Sequence, residues 1–199
     1  MVDVKRVICM QAFALMCDCI FAIGCDAGSS HSSETPDGPI TVGKTVIFDI
    51  FMRGLGGYHC DITRTWPLGH APANVEQAHA LVRLAHALAK ARFNTDEHTY
   101  AFNEAVGDLF DSNDYPTIRQ DYAPRLRAWL QPCRARSAGH QPERPDEKFQ
   151  VGSVFCSEYD PDDPRGGWGV RIEDNYYCNP DGHFERLTNF DHNLVVLLS

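Results

Sequence analysis

Four acidic residues lie inside apolar, strand-like runs of the sequence, where charged side chains are costly. They are Asp49 in VIFDIF, Asp61 in YHCDITRTW, Glu158 in VFCSEY and Glu173 in GVRIED. A buried carboxylate is unfavourable unless a cation or a metal ion meets it. The cations inside these motifs are Arg64 and Arg171. Two alternatives stay open: an ion-pair network in which Arg64 meets Asp61, or a metal site that includes Asp49 and Asp61.

The metal alternative points to a particular chemistry. Carboxylate oxygens are hard ligands, and several of them together suit manganese, magnesium or a similar divalent ion. Two such ions, bridged by carboxylates, can share a water molecule and activate it for attack on a carbonyl group. The acidic residues therefore indicate hydrolytic chemistry if the fold brings them together.

The strands that carry the first two carboxylates can be read from the sequence. The run KTVIFDIFM, residues 44–52, is β-branched and aromatic and predicts a buried strand. The turn RGLGG follows, and YHCDITRTWPLG, residues 58–69, predicts a second strand. We therefore expect Asp49 and Asp61 to lie on neighbouring strands of one hairpin-like unit.

Two helices are predicted after this unit. The first opens at Pro72 and has apolar residues at helical spacing, and the second covers residues 100–110. Three more strand-like runs follow: FQVGSVFCSEY, WGVRIEDNYYC and GHFERLTNF. Strands first and last with helices between them indicate an α+β fold. His79 and His86 lie two turns, roughly 10 Å, apart on the first helix, so we interpret them as ordinary helix residues.

The composition excludes some partners. The 199-residue chain has a formal net charge of −9, which argues against a nucleic-acid backbone. No apolar run reaches the ~20 residues that a membrane span needs. The length predicts one domain, or one domain with a small appendage. We expect a cytoplasmic location.

The first 25 residues allow two interpretations. A basic start followed by an apolar run resembles a secretory signal, and AIGC resembles a lipoprotein cleavage site at Cys25. Asp18 interrupts the apolar run, however, and Asp3 lies in the basic region. We therefore favour a strand or helix packed on the core. Residues 1–26 are treated as an uncertain N-terminal segment before a domain at 27–199.

Three regions of the sequence carry strings that resemble one known family. VIFDIF with GGYHCDITRTW, SEYDPD with GGWGVRIED, and DGHFERLTNF are similar to motifs of the pita-bread metallopeptidases, in their Xaa-Pro aminopeptidase and prolidase branch. The resemblance covers about residues 27–190 and is most specific at DITRT and GVRIED. It implies an incomplete pita-bread fold, a curved antiparallel sheet flanked by helices. It also implies hydrolysis of the peptide bond before a proline through a water molecule activated by two metal ions.

The resemblance further implies a role for each matching residue. The residues that match metal ligands are Asp49, Asp61, Glu158 and Glu173. The implied cofactors are two divalent ions, manganese first, with cobalt or zinc as alternatives. Arg171 would orient the ligand carboxylates, and His31 in AGSSH would bind substrate or stabilise the transition state. The implied partner is a peptide or dipeptide with proline, and a homodimer is the candidate assembly.

The sequence departs from the family pattern around residues 122–150. The family carries histidines in GHGxGL and VHExP strings, and neither string is present. His140 in SAGHQPERP is either a surviving ligand or an ordinary loop histidine. Codons for residues 123–139, read one base later, can encode HHGYVHG and VVHEAPG, so we hypothesise a shifted reading frame that the nucleotide sequence would test. The alternative function is a catalytically inactive homologue or gene fragment that binds metal or peptide at most.

Overall fold

The computed structural model describes residues 10, 17–23, 40–53, 59–96, 98, 100–115, 148–163 and 166–197. Its strands and longer helices are, in chain order, β1 (Cys17–Ile23), β2 (Thr45–Arg53), β3 (His59–Pro67), α1 (Ala73–Lys90), α2 (Tyr100–Asp111), β4 (Val154–Tyr159), β5 (Asp162–Asp163), β6 (Trp168–Gly169), β7 (Ile172–Cys178) and β8 (Phe184–Arg186). Strands come first and last with two helices between them, so the predicted α+β class is confirmed.

Most of the strands form one antiparallel sheet. Its order is β1-β2-β3-β7-β4, with β8 added to β7, while β5 and β6 pair with each other. β1 pairs with β2 along its length, with Ile20 opposite Asp49. The N-terminal apolar run therefore forms a strand over Cys17–Ile23, one of the two forms predicted for it. Cys25 lies outside the described residues.

β2 and β3 form the predicted hairpin-like unit. They are antiparallel, with Asp49 opposite Thr63 and Phe51 opposite Asp61. Side chains alternate between the two faces of a strand, so Asp61 lies on the same face as Thr63, two residues away, and hence as Asp49. The prediction that Asp49 and Asp61 lie on neighbouring strands is confirmed.

The run WGVRIEDNYYC is broken, so the prediction of one strand is wrong there. Trp168–Gly169 pairs with β5, and Ile172–Cys178 pairs with β3 and β4. At Arg171, between β6 and β7, the Thr65 side chain makes the hydrogen bonds that a neighbouring strand would otherwise make with the Arg171 backbone. The backbone N–H of Arg171 donates to Thr65 Oγ1 at 2.8 Å, and the same hydroxyl donates to the Arg171 carbonyl at 3.0 Å. The apolar pattern of the sequence therefore continues across a break between two strands, and the break is stabilised by a threonine that is distant in the chain.

Both helices pack on one face of the sheet. α1 begins after Pro72, as predicted, and its buried residues recur at helical spacing: Val75, Ala78, His79, Leu81, Val82, Ala85, His86 and Ala89. The apolar core also includes, from α2 and the sheet, Phe102, Val106, Phe110, Phe155, Tyr159, Ile172 and Tyr176. Neither described helix is both long and apolar enough to cross a membrane. The helices therefore cover one face of the sheet with apolar contacts.

Arg64 joins three parts of the chain on this face. Its Nη2 donates to Asp174 Oδ1 at 2.8 Å, and its Nη1 donates to the carbonyl oxygen of Glu173 at 2.8 Å. Nε and Nη2 also donate to the carbonyl oxygens of Asp191 and Phe190, at 3.0 and 2.7 Å. The guanidinium group thus holds β3, β7 and the C-terminal segment together.

The alternative in which Arg64 meets Asp61 is wrong. The two residues are three positions apart in β3, so their side chains point to opposite faces of the sheet. All five guanidinium N–H groups are used elsewhere, the fifth on the Thr63 carbonyl at 2.8 Å. Asp61 must therefore find its counter-charge on the other face.

We expect Arg64→Gln to destabilise the protein by about 3–5 kcal/mol, because it leaves Asp174 buried without its main partner. Urea unfolding would measure the change in the free energy of unfolding. Arg92→Gln is the matched control, since Arg92 is exposed in the turn after α1. A loss of less than about 1 kcal/mol, the range of a surface ion pair, would contradict the role given to Arg64.

Candidate metal centre

The four acidic residues form a row across four neighbouring strands. Asp49 lies opposite Thr63, Thr63 opposite Glu173, and Glu173 opposite Glu158. Asp61 lies on the same face, two residues before Thr63. Adjacent strands are only about 4.8 Å apart, so the register alone brings carboxylates from distant parts of the chain together.

The carboxyl groups of this row converge. Ligand oxygens of Asp49, Glu158 and Glu173 lie within 4.8 Å of one another, and these side chains are buried. The Asp61 carboxyl group lies close enough to those of Asp49 and Glu173 to affect the pKa of each. Asp49 Oδ1 and Asp61 Oδ1 are both buried and accept no hydrogen bond from any residue that the structure describes. Such lone pairs are available to a metal ion.

Burial and mutual repulsion shift the pKa values of the row upwards. Burial raises the pKa of Asp49, against the opposing effects of Asp61 and Arg171. Burial, then the negative charges of Glu173 and Asp49, raise the pKa of Asp61. Burial, then the charge of Glu158, raise the pKa of Glu173 well above its usual range. Without a metal the row therefore retains protons, which divalent cations would displace on binding.

Arg171 lies beside the row. Its Nε is 2.9 Å from Glu158 Oε1, and its Nη1 is 3.7 Å from Asp49 Oδ2. Its Nη2 is 3.4 Å from Oδ2 of Asp160, a fully buried carboxylate that sequence reasoning missed. The signal for Asp160 was its place directly after an apolar strand. One guanidinium brings a single positive charge to these carboxylates, so Arg171 alone cannot neutralise the row in its ionised form.

Two candidate histidines cannot be located. His31 and His140 lie outside the described residues, as does the segment 116–147 that contains the hypothesised frame shift. Their roles stay predictions.

Comparison with known proteins agrees with the geometry of the row. The model of metallopeptidase family M24 matches residues 4–180. The chain belongs to metallopeptidase family M24. The resemblance that the sequence motifs indicate is therefore confirmed, and membership of a metallopeptidase family implies the use of divalent metal ions.

Solved structures of the family share the fold. A prolidase from Thermococcus sibiricus matches with a TM-score of 0.71 and 23% identity, over 90% of this chain and 47% of that one. An X-Pro aminopeptidase from Thermotoga maritima matches with a TM-score of 0.72 and 19% identity, over 90% of this chain and 49% of that one. Dipeptidase PepE from Mycobacterium ulcerans matches with a TM-score of 0.73 and 21% identity, over 91% of this chain and 47% of that one. No curated protein sequence matches the chain. The M24 chain thus has the expected partial pita-bread fold and spans about half the length of these structures.

A second group of metal-binding side chains lies on the helix face of the sheet. It consists of His86, Asp174 and His192, whose ligand atoms lie within 4.8 Å of one another. His86 Nε2 donates to the Ile172 carbonyl at 3.0 Å, and His192 Nε2 is 2.5 Å from Asp174 Oδ2. Sequence reasoning missed this group because its members are far apart in the chain and form no motif. The one signal was strand alternation, which turns Asp174 away from Glu173.

The environment gives this second group a mixed charge state. Burial lowers the pKa of His86 to about 4, although Asp174 opposes this shift. Burial also lowers the pKa of His79 to about 4. Burial alone would raise the pKa of Asp174, but the hydrogen bond with His192 and the charge of Arg64 lower it to about 2. A neutral imidazole therefore lies beside an ionised carboxylate near neutral pH.

We expect Asp61→Asn to stabilise the metal-free protein by about 1–3 kcal/mol, because a neutral amide does not have to take up a proton on burial, as the raised pKa of Asp61 requires of the carboxylate. It should also remove the thermal stabilisation that manganese gives the unchanged protein. Asp181→Asn makes the same chemical change on an exposed turn and should do neither. A metal-free Asp61→Asn protein that unfolds earlier in urea would show that the row is not under electrostatic strain.

The contribution of His86 to the stability of the protein should fall with acidification between about pH 6.5 and pH 4. The pKa of His86 is 6.5 unfolded and about 4 folded, so the unfolded chain takes up a proton first across this window. Acidification from pH 7 to pH 5 should therefore lower the free energy of unfolding less, or raise it more, in His86→Gln than in the unchanged protein. His183→Gln, at an exposed histidine, is the control and should show the same pH dependence as the unchanged protein. Equal differences in all three proteins would contradict the burial of a neutral His86.

Proposed function

We propose that this M24 chain acts as a metal-dependent peptidase that hydrolyses the peptide bond before a proline. The observation that carries the proposal is the row of four carboxylates on neighbouring strands, with three of them converging within 4.8 Å. Ion pairing leaves this row negative, so divalent cations fit it better than any described side chain does.

The proposed ligands are Asp49, Asp61, Glu158 and Glu173, and we propose that they hold two divalent ions, manganese in preference to cobalt or zinc. The donor set is all oxygen, which suits a hard ion. The Oδ1 atoms of the two aspartates, which are buried without a hydrogen-bond partner among the described residues, fit this role. When bound, the ions would polarise the scissile carbonyl and lower the pKa of a water molecule.

Residues around the row would hold it in shape for this reaction. Thr63 Oγ1 donates to Glu173 Oε2 at 3.1 Å and fixes the orientation of that carboxylate. Arg171 does the same for Glu158 and Asp49 through its ion pairs. We propose that a glutamate of the row accepts the proton of the attacking water and returns it to the leaving amine. His31 would stabilise the oxyanion of the transition state.

The wider properties of the protein are part of the same proposal. The neighbours named prolidase, dipeptidase and X-Pro aminopeptidase support a peptide or dipeptide substrate with proline. We propose a cytoplasmic protein with a partial catalytic domain at 27–199, atypical at 122–150, that assembles as a homodimer. Export through Cys25 is the alternative location.

A second candidate function is a catalytically inactive homologue that binds metal or peptide. One observation favours it: the histidine strings of the family are absent from the sequence. Such a protein would keep the carboxylates but lack part of the transition-state stabilisation.

Metal titration combined with a proline-dipeptide assay separates the two candidates. We expect manganese to bind and turnover of an Xaa-Pro dipeptide to depend on it. Glu173→Gln should lower turnover by about 100-fold or more, since it removes a ligand and disturbs the proton path. Glu76→Gln is the control, because Glu76 is exposed in the first turn of α1.

Each outcome of this experiment has a meaning. Manganese binding without turnover would support the inactive homologue. Absence of manganese binding at millimolar concentration would reject the metal-dependent peptidase and would leave peptide binding as the only role of the inactive homologue. Turnover that is the same in Glu173→Gln would show that the activity does not come from the carboxylate row.

A further inference from the structure

We propose that His86, Asp174 and His192 form a second metal site, for a divalent transition-metal ion of the zinc class, on the face of the sheet opposite the carboxylate row. Glu173 and Asp174 are consecutive in β7 and therefore point to opposite faces. The proposal is thus independent of the proposed peptidase function.

The donor set is the first support for this site. The ligand atoms of the two histidines and the aspartate lie within 4.8 Å of one another. Imidazole nitrogen is a ligand typical of zinc, nickel and cobalt, whereas manganese and magnesium prefer oxygen alone. The second site would therefore differ from the carboxylate row in the metal that it selects.

The orientation of His86 is the second support. A carbonyl oxygen can only accept, so His86 Nε2 carries the hydrogen that is bonded to Ile172 and Nδ1 carries the lone pair. His86 is 3% exposed, and its Nδ1 is buried without a hydrogen-bond partner among the described residues. Metal-binding histidines almost always donate their other N–H in this way. His86 is therefore in the tautomer that a metal-binding histidine requires.

The surroundings supply access and room. His86 and His192 line a cavity of about 580 Å³ between α1 and β7–β8, which also touches Arg83, Lys90, Tyr176 and Arg186. Water from this cavity can complete a four-coordinate site. A metal ion would have to displace the contact between His192 Nε2 and Asp174 Oδ2 and that of Arg186 Nη1 with the same nitrogen at 3.0 Å, since metals and hydrogen-bond donors compete for the same lone pairs.

Two cations act against a metal ion here. Arg64 binds Asp174 Oδ1 at 2.8 Å, and Arg186 Nη1 lies 3.3 Å from Oδ2. Arg64 is buried, whereas the side chain of Arg186 is 32% exposed and can turn into solvent. The site should therefore bind zinc more weakly than a site without these guanidinium groups, and its affinity should rise when the charge of Arg186 is removed.

Zinc titration followed by the nitrogen NMR signals of the histidine rings would test this proposal. The four described residues of the carboxylate row are aspartates and glutamates, so the nitrogen signals of the histidine rings report metal binding at the second site separately. We expect the signals of His86 and His192 to shift together and saturate with one zinc ion. His192→Asn should weaken this binding about 10-fold or more, and Arg186→Gln should tighten it about fivefold. His183→Asn should change neither, since His183 is exposed on the turn before β8.

Three results would overturn the proposal. The first is that neither ring signal moves up to millimolar zinc. The second is that His192→Asn binds zinc at this site as tightly as the unchanged protein. The third is that Arg186→Gln weakens zinc binding, which would contradict the repulsion expected between Arg186 and a metal ion bound to Asp174. His192 and Arg186 are only partly buried, so these variants test the site even if His86→Gln does not fold.

Discussion

The constraint on which this structure depends is the packing of like charges in one row across four strands. Asp49, Glu173 and Glu158 are buried next to one another, and Asp61 completes the group. Folding places these carboxylates together at an energetic cost, since burial and repulsion both oppose ionisation. The apolar core between the helices and the opposite face of the sheet must offset that cost. The sheet is therefore stabilised on one face and electrostatically strained on the other, a division that is common where function requires strain.

The two faces are linked because consecutive residues serve opposite faces. Thr63 supports Glu173 on the acidic face, while its neighbour Arg64 binds Asp174 on the helix face. β3 and β7 share a single register pair, Thr63 with Glu173. A slip of one residue would exchange the two faces completely. The ion pair of Arg64 with Asp174 fixes this register, so a contact on the helix face determines whether the carboxylates on the other face can meet.

The sequence predicts the parts of this arrangement that depend on local pattern. The β-branched runs around Asp49 and Asp61 and the helical spacing after Pro72 identify their elements, and the motifs identify the family. Local pattern does not predict which distant residue a long side chain contacts. Arg64 is close to Asp61 in sequence, yet strand alternation sends it to Asp174. The break at Arg171 depends on the hydroxyl of Thr65, and no motif connects His86 with His192. Each of these depends on a contact between residues that are distant in the chain.

Metal binding and turnover make different demands on such a sheet. Affinity for a divalent ion requires negative oxygens at short range, and strand register provides these through backbone pairing alone. Turnover also requires a proton carrier and a donor that stabilises the developing oxyanion. Proton transfer can come from a glutamate of the row itself. The proposed oxyanion donor, His31, belongs to a segment before β2, where its position does not follow from the register of the sheet. A chain of this family can therefore keep its metal ligands while changes outside the sheet remove its activity, and binding of metal to the row is not in itself a measure of catalysis.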